Sequence, residues 1–278
     1  MALLNKGPKA SIAYHSIFNF LLARAELKKW EIGPKGLGEI TNYKLQITNR
    51  QNLKTRKIRE KISHQKLKIA RRAAKLLGKI PTVKMMAVTG ALAMKNATAE
   101  SDIDLMIITK ANTLWLTRFF VYLLLRIKNY DIRKPKQKTQ KNKLCLNIWI
   151  DETALEWEKK DRNIYTAHEI AQIMPLVNKD RTYKRFLRAN KWILDYWPKA
   201  ISDTTILRYN DIAKKKVRKH IISQYPNIIV SIIEKLAFKM QYLYMKPKIT
   251  REVVTPHKAL FHPRNWGKIV LDRLKVCL

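Results

Sequence analysis

Acidic residues are scarce in this chain. Its 278 residues hold 21 Asp plus Glu against 57 Lys plus Arg, giving a formal charge of +36 and a pI near 10.3. So few carboxylates disfavour a cationic substrate, and the excess is the electrostatic footprint of a polyanion binder, because neutralising phosphates releases condensed counterions. Nucleic acid is the leading expectation for a partner. Cysteine is scarce too: Cys145 and Cys277 are too few for a disulfide framework or a thiolate cluster and fit a reducing, cytoplasmic compartment. Long apolar runs are missing. The longest, Phe119 to Leu125, falls far short of the ~20 residues that span a bilayer. The stretch up to Leu27 is partly apolar, but His15, Asn19 and the lack of a small-residue cleavage site argue against a signal peptide. The hydrophobic fraction of 46% is ordinary for a soluble globular protein, and the length allows two or three small domains or one with a proper core.

The chain is organised around Met86 to Thr109, which reads as strand, tight turn, short helix and second strand. Gly90 permits the turn and a close backbone approach. Strand side chains alternate, so Asp102 and Asp104 share one face while Ile103, Leu105 and Ile107 take the other. Two carboxylates on one rigid edge suit a divalent metal. Before this stretch, residues 9 to 31 show helical spacing, Gly33 to Gly36 reads as a turn, and Tyr43 to Ile47 alternates like a short strand, together suggesting a small winged-helix-like unit. Lys54 to Leu77 predicts a long basic helix with Ile58, Ile62, Ile69, Ala73 and Leu76 inward, ended by Gly78 and Pro81. Between Lys44 and Lys84 its only acid is Glu60, and a merely solvated face would mix signs.

Beyond the central stretch, Asn112 to Lys128 predicts a helix with Leu114, Trp115, Phe119, Tyr122 and Leu123 inward. A basic loop from Arg133 to Lys143 then leads to a strand at Leu144 to Ile150. Simple alternation puts Cys145, Asn147, Trp149 and Asp151 on one face of that strand. From about Ala154 the chain reads as mostly helical, clearest at Tyr165 to Met174, Tyr183 to Tyr196 and Ile228 to Tyr244, with a second basic block at Lys214 to His220. His168 and Glu169 are adjacent and point apart, so they form no metal pair; His168 reads as a packing residue. Trp149, Trp192 and Trp197 read as core. Lys84, Lys95 and Arg118 have the reach to meet a triphosphate or to sit in solvent.

Gly90-Ala91, ten intervening residues and then Asp102-Ile103-Asp104 resemble the motif of the DNA polymerase beta-like nucleotidyltransferase superfamily. Thr89 to Asn96, Leu114 to Arg118, Cys145 to Asn147, Tyr165 to Glu169 and Phe261 to Pro263 extend the likeness to bacterial nucleotidyltransferase-domain proteins over nearly the whole chain. The resemblance implies an α+β nucleotidyltransferase core at residues 54–152 with its leading basic helix, a winged-helix-like region at 1–53 and a helical domain at 153–278. It also implies Asp102 and Asp104 as catalytic metal ligands, with Asn147 at the third ligand position, and Thr89, Gly90, Ala91 and Ser101 against the nucleotide. Two Mg²⁺ ions and a nucleoside triphosphate would be bound there. The chain departs from the pattern twice. Ala91 replaces a serine, and Asn147 stands where an acid is expected, leaving Asp151 as the substitute on the same predicted face. The expected activity is transfer of a nucleoside monophosphate to a hydroxyl acceptor, RNA or a tRNA end; the alternative is a catalytically weakened, nucleic-acid-binding regulator.

Overall fold

The computed structural model describes residues 6–40, 53–134, 139–201, 228–261 and 265–275. The expected strand at Tyr43 to Ile47 and the basic block at Lys214 to His220 lie outside these residues. A six-stranded mixed sheet runs through the centre, built from β1 (Val83–Val88), β2 (Ile103–Thr109), β3 (Leu144–Asp151), β4 (Met174–Asn178), β5 (Val253–Val254) and β6 (Lys258–Leu260). Their spatial order is β4-β1-β2-β3-β6-β5. Only β2 and β3 pair in parallel; the other neighbours are antiparallel. The helices are α1 (Lys6–Ser16), α2 (Arg24–Lys29), α3 (Pro34–Gly38), α4 (Leu53–Leu77), α5 (Gly90–Ala93), α6 (Leu114–Ile127), α7 (Ile164–Ala171), α8 (Thr182–Ala189), α9 (Ile228–Met245) and α10 (Trp266–Lys275). The protein is α+β.

Each face of the sheet has its own core. Met85, Ala87, Met106, Ile108 and Ile150 pack with Tyr14 and Trp30 of the N-terminal helical region and with Ala167, Phe186 and Val270 of α7, α8 and α10. Val83, Met86, Val88, Ile103, Leu105 and Ile107 pack on the other side with Leu67, Ala70 and Leu77 of α4 and Leu114, Trp115 and Val121 of α6. This strict alternation along β2 matches the sequence reading, and it fixes Asp102 and Asp104 on the α7 face, since both are in phase with Met106 and Ile108.

Several elements differ from expectation for identifiable reasons. The predicted helix at 9–31 breaks into α1 and α2 because Asn19 adopts a left-handed conformation, φ 50°, between them. Gly33 to Gly36 is not a free turn: it opens the single-turn helix α3, with Pro34 at its first position. Helix α4 has the predicted limits, but its buried stripe is Ser63, Lys66, Leu67, Ala70, Ala73, Ala74 and Leu77, while Ile58 is 52% exposed. The small alanines let the helix lie close on the sheet. Lys66 is buried because its ammonium donates to Ala99 O, Ser101 O and Asn142 Oδ1 at 2.7–3.1 Å. In α6 the buried positions are Leu114, Trp115, Thr117, Val121 and Leu125, and Phe119 and Leu123 are exposed. The region after Ala154 contributes three strands as well as helices. β4 includes Pro175, and it is tolerated because β4 lies at the sheet edge.

Candidate metal centre

Strand β2 enters the sheet just after Asp102, so both carboxylates sit at its N-terminal end. Gly90 is turned against them. It has φ +60°, and a Cβ there would stand 3.0 Å from Asp104 Oδ2. Glycine is required twice over, by the left-handed backbone and by the close approach. Thr89 N donates to Asp104 O at 3.1 Å, locking this turn to β2.

From β3 come Asn147 and Cys145. Asn147 Nδ2 donates to Asp104 Oδ1 at 2.7 Å, whereas Asn147 Oδ1 is buried with no hydrogen-bond partner among the described residues. One ligand atom from each of Asp102, Asp104 and Cys145 lies within 4.8 Å of the others. Arg133, on the segment after α6 that runs beside the start of β3, reaches in with one nitrogen, Nη1, which stands 2.9 Å from Asp102 Oδ2 and 3.4 Å from Cys145 Sγ. Burial, then the adjacent Asp102 charge, push Asp104 up to about 7, against a hydrogen bond from Cys145 and the Arg133 charge. Burial, then the charges of Asp104 and Asp102, push the Cys145 thiol well above its ordinary value. The donor set fits a cation. Two carboxylates share a confined corner, beside a buried amide oxygen with no hydrogen-bond partner among the described residues.

The sequence-predicted residues divide as follows. Asp102, Asp104, Gly90 and Asn147 come together. Thr89 flanks them, buried. Ala91 is exposed, at the start of α5, which is one four-residue turn. Ser101 precedes Asp102, but its hydroxyl donates to Thr98 O at 2.9 Å and its carbonyl accepts from Lys66, so it braces the turn. Asp151 does not join the site. The register of β2 on β3 pairs Leu105 with Leu146 but Met106 with Ile148, so Asn147 is an extra residue in the ladder. That bulge reverses the alternation after it. Cys145, Asn147, Ile148 and Ile150 therefore face α7, and Leu146, Trp149 and Asp151 face the α6 side. Lys84 is engaged elsewhere, with Asp180, and Arg118 pairs with Gln241 and stacks on Tyr122. Trp149, Trp192 and Trp197 are core residues as expected.

Sequence reasoning missed Glu169. Helix α7 starts with a reciprocal cap, in which Asn163 Oδ1 accepts from Thr166 N and Thr166 Oγ1 accepts from Asn163 N. That start sends His168 into the aromatic core, Nε2 to Nε2 of His15 at 3.1 Å, and Glu169 toward the sheet. Glu169 lines a cavity of about 530 Å³ together with Thr89, Met106, Tyr165 and Phe186. Burial, then the charge of Asp104, raise Glu169 to about 8, against a hydrogen bond from Gln172. Glu169 thus feels the charge of Asp104 from a helix, on a cavity that Thr89 also lines. Only its presence within the Tyr165 to Glu169 segment of the resemblance marked it in the sequence.

No protein-family model and no curated protein matches the chain.

The surface of α4 is basic along one side. Lys54, Lys57, Lys61, Lys68, Arg71, Arg72 and Lys75 are exposed, and at 100° per residue they fall within about a third of the circumference. The stripe is roughly 30 Å long. Glu60 is turned away to pair with Arg56, which also grips Glu26. Arg59 is likewise withdrawn, onto Asn96 Oδ1 at 2.8 Å.

Proposed function

We propose that the protein is a metal-dependent nucleotidyltransferase of the DNA polymerase beta-like superfamily, moving a nucleoside monophosphate from a nucleoside triphosphate to a hydroxyl of RNA. The observation that carries this reading is the contact of Gly90 with Asp104. A left-handed glycine pressed against the second of two strand carboxylates brings the turn's backbone beside a charged corner, an arrangement suited to a phosphate bridged by a cation.

In this reading Asp102 and Asp104 hold the divalent ions and Asn147 supplies its free oxygen as a neutral ligand. The ions, when bound, neutralise charge on the phosphates and on the entering and leaving oxygens. The acceptor oxygen bonds to the α-phosphorus as the bond to pyrophosphate breaks, and the hydroxyl proton passes to a carboxylate. Asn147 takes no proton. Glu169, on the cavity that Thr89 also lines, is a carboxylate available for that role. Thr89 and Gly90 shape the phosphate side of the corner, and the exposed cations of α4 hold the polyanionic acceptor.

A second reading has one observation in its favour. Arg133 already pairs with Asp102, and Asn147 with Asp104, so both carboxylates have partners without an ion. A nucleic-acid-binding regulator with a weakened catalytic centre would retain such pairs. Incubation with labelled nucleoside triphosphates, Mg²⁺ or Mn²⁺ and total RNA separates the two. Turnover predicts label in RNA that disappears in Asp102→Ala plus Asp104→Ala. Label that survives the double substitution sinks the metal-site reading, and salt-sensitive RNA binding with no label in the wild type supports the regulator.

A further inference from the structure

We propose that the Asp102–Asp104 corner selects a thiophilic divalent ion, of the Co²⁺ and Zn²⁺ class, over Mg²⁺ and Mn²⁺, with Cys145 as the ligand that sets the preference and Arg133 as a displaceable stand-in for the ion. The inference rests on the metal-binding part of the functional reading and goes beyond it in the identity of the ion and in two residues.

Three donors are already gathered. Carboxylate oxygens of Asp102 and Asp104 and Sγ of Cys145 lie within 4.8 Å of one another. Around a four-coordinate ion with metal–oxygen and metal–sulfur bonds of ~2.1 and ~2.3 Å, such atoms sit about 3.6 Å apart, so the shell closes with movements on the order of 1 Å. The fourth donor is independent of these three. Asn147 is only 6% exposed, its amide nitrogen is fixed on Asp104, and its oxygen has no partner among the described residues. A buried acceptor left unsatisfied costs about 1–3 kcal/mol, and a cation at this corner relieves it.

The donor chemistry then discriminates. Mg²⁺ demands near-octahedral oxygen ligands and keeps several waters, for which a buried sulfur is a poor substitute. A softer ion accepts sulfur, carboxylate and amide oxygen together, and on binding displaces the proton that a buried thiol otherwise keeps. Arg133 marks the position. A single nitrogen, Nη1, lies against both Asp102 Oδ2 and Cys145 Sγ, where a cation bridging the two would stand. The Arg133 side chain is one-third exposed, so it can swing out without dismantling the core.

The test is a Co²⁺ titration of the intact chain carrying Cys277→Ser, which removes the other thiol from the readout. Binding through Cys145 predicts a thiolate-to-Co²⁺ charge-transfer band in the near ultraviolet that excess Mg²⁺ does not abolish. Cys145→Ser loses this band and its preference for Co²⁺ over Mg²⁺ while keeping its melting temperature. Arg133→Gln binds Co²⁺ roughly tenfold more tightly, as expected when a competing outer partner is removed. Asp104-dependent Mg²⁺ or Mn²⁺ binding without any charge-transfer band overturns the inference and leaves the functional reading standing. Failure to bind any divalent ion overturns both.

Discussion

Asp151 and Asp104 belong to the same parallel strand pair, and the fold treats them in opposite ways. Asp151 ends β3 opposite Thr109, fully buried on the α6 side, and collects donors on both oxygens: Asn112 N and His257 Nδ1 on Oδ2, Thr153 N and Oγ1 on Oδ1. Asp104 lies near the start of β2 on the other face, with Asn147 and Cys145 as donors and another acid, Asp102, beside it. One carboxylate is built into the structure, where it ties together the loops after β2 and β3 and the segment before β6. The other is held at a cost in stability, which is the usual mark of a group kept for what it binds.

Removing each aspartate sharpens the contrast. The largest effect is expected for Asp151→Ala, which strands three backbone and side-chain donors and the His257 ring. A loss of about 3–5 kcal/mol in urea or thermal unfolding follows, and a loss below about 1 kcal/mol would mean that the network is not structural. Asp104→Asn goes the other way. Because Asp104 in the folded protein titrates near 7 rather than near 3.8, the carboxylate costs nothing below about pH 4, where both states are protonated. The cost grows as the unfolded chain ionises and is complete above pH 7. The asparagine variant should therefore be more stable by on the order of 2 kcal/mol at pH 8 and equal to wild type near pH 4. A gain from the substitution that is larger at pH 4 than at pH 8 would contradict the assigned cause.

Gly90→Ala is expected to cost about 1–2 kcal/mol, from the left-handed backbone alone, and to weaken divalent-ion binding by driving a methyl group toward Asp104 Oδ2. The smallest effect on stability, within about 0.5 kcal/mol, belongs to Lys61→Ala plus Arg72→Ala on the exposed stripe of α4. Their signature is in binding: the slope of log affinity for RNA against log salt should fall by about 1.5. An unchanged slope would remove α4 from the interface.

Local features of the site were legible from the residues, and features set by distant pairing were not. The phase of Asp102 and Asp104 with the core residues of β2 follows from period-two alternation, and Gly90 from the turn between two strands. The bulge at Asn147 carries no local signal, yet it moves Asp151 to the opposite face. Glu169 was passed over because adjacency to His168 was weighed on the helix alone; what gives it meaning is the strand on which α7 packs. Strands β4, β5 and β6 are short, and β4 contains Pro175, so none displays alternation long enough to read. The buried stripe of α4 was missed by one position because a lysine with three oxygen partners counts as core, which hydropathy does not register.

The central claim is that Asp102 and Asp104 form a cation-dependent nucleotide site. Its most direct measurement is calorimetric titration of a nonhydrolysable nucleoside triphosphate into the protein, with Mn²⁺ and with chelator, for wild type and for Asp102→Asn plus Asp104→Asn. Binding is expected for the wild type only when Mn²⁺ is present, and not for the double variant, whose fold is retained. Equal binding with chelator, or by the double variant, would contradict it.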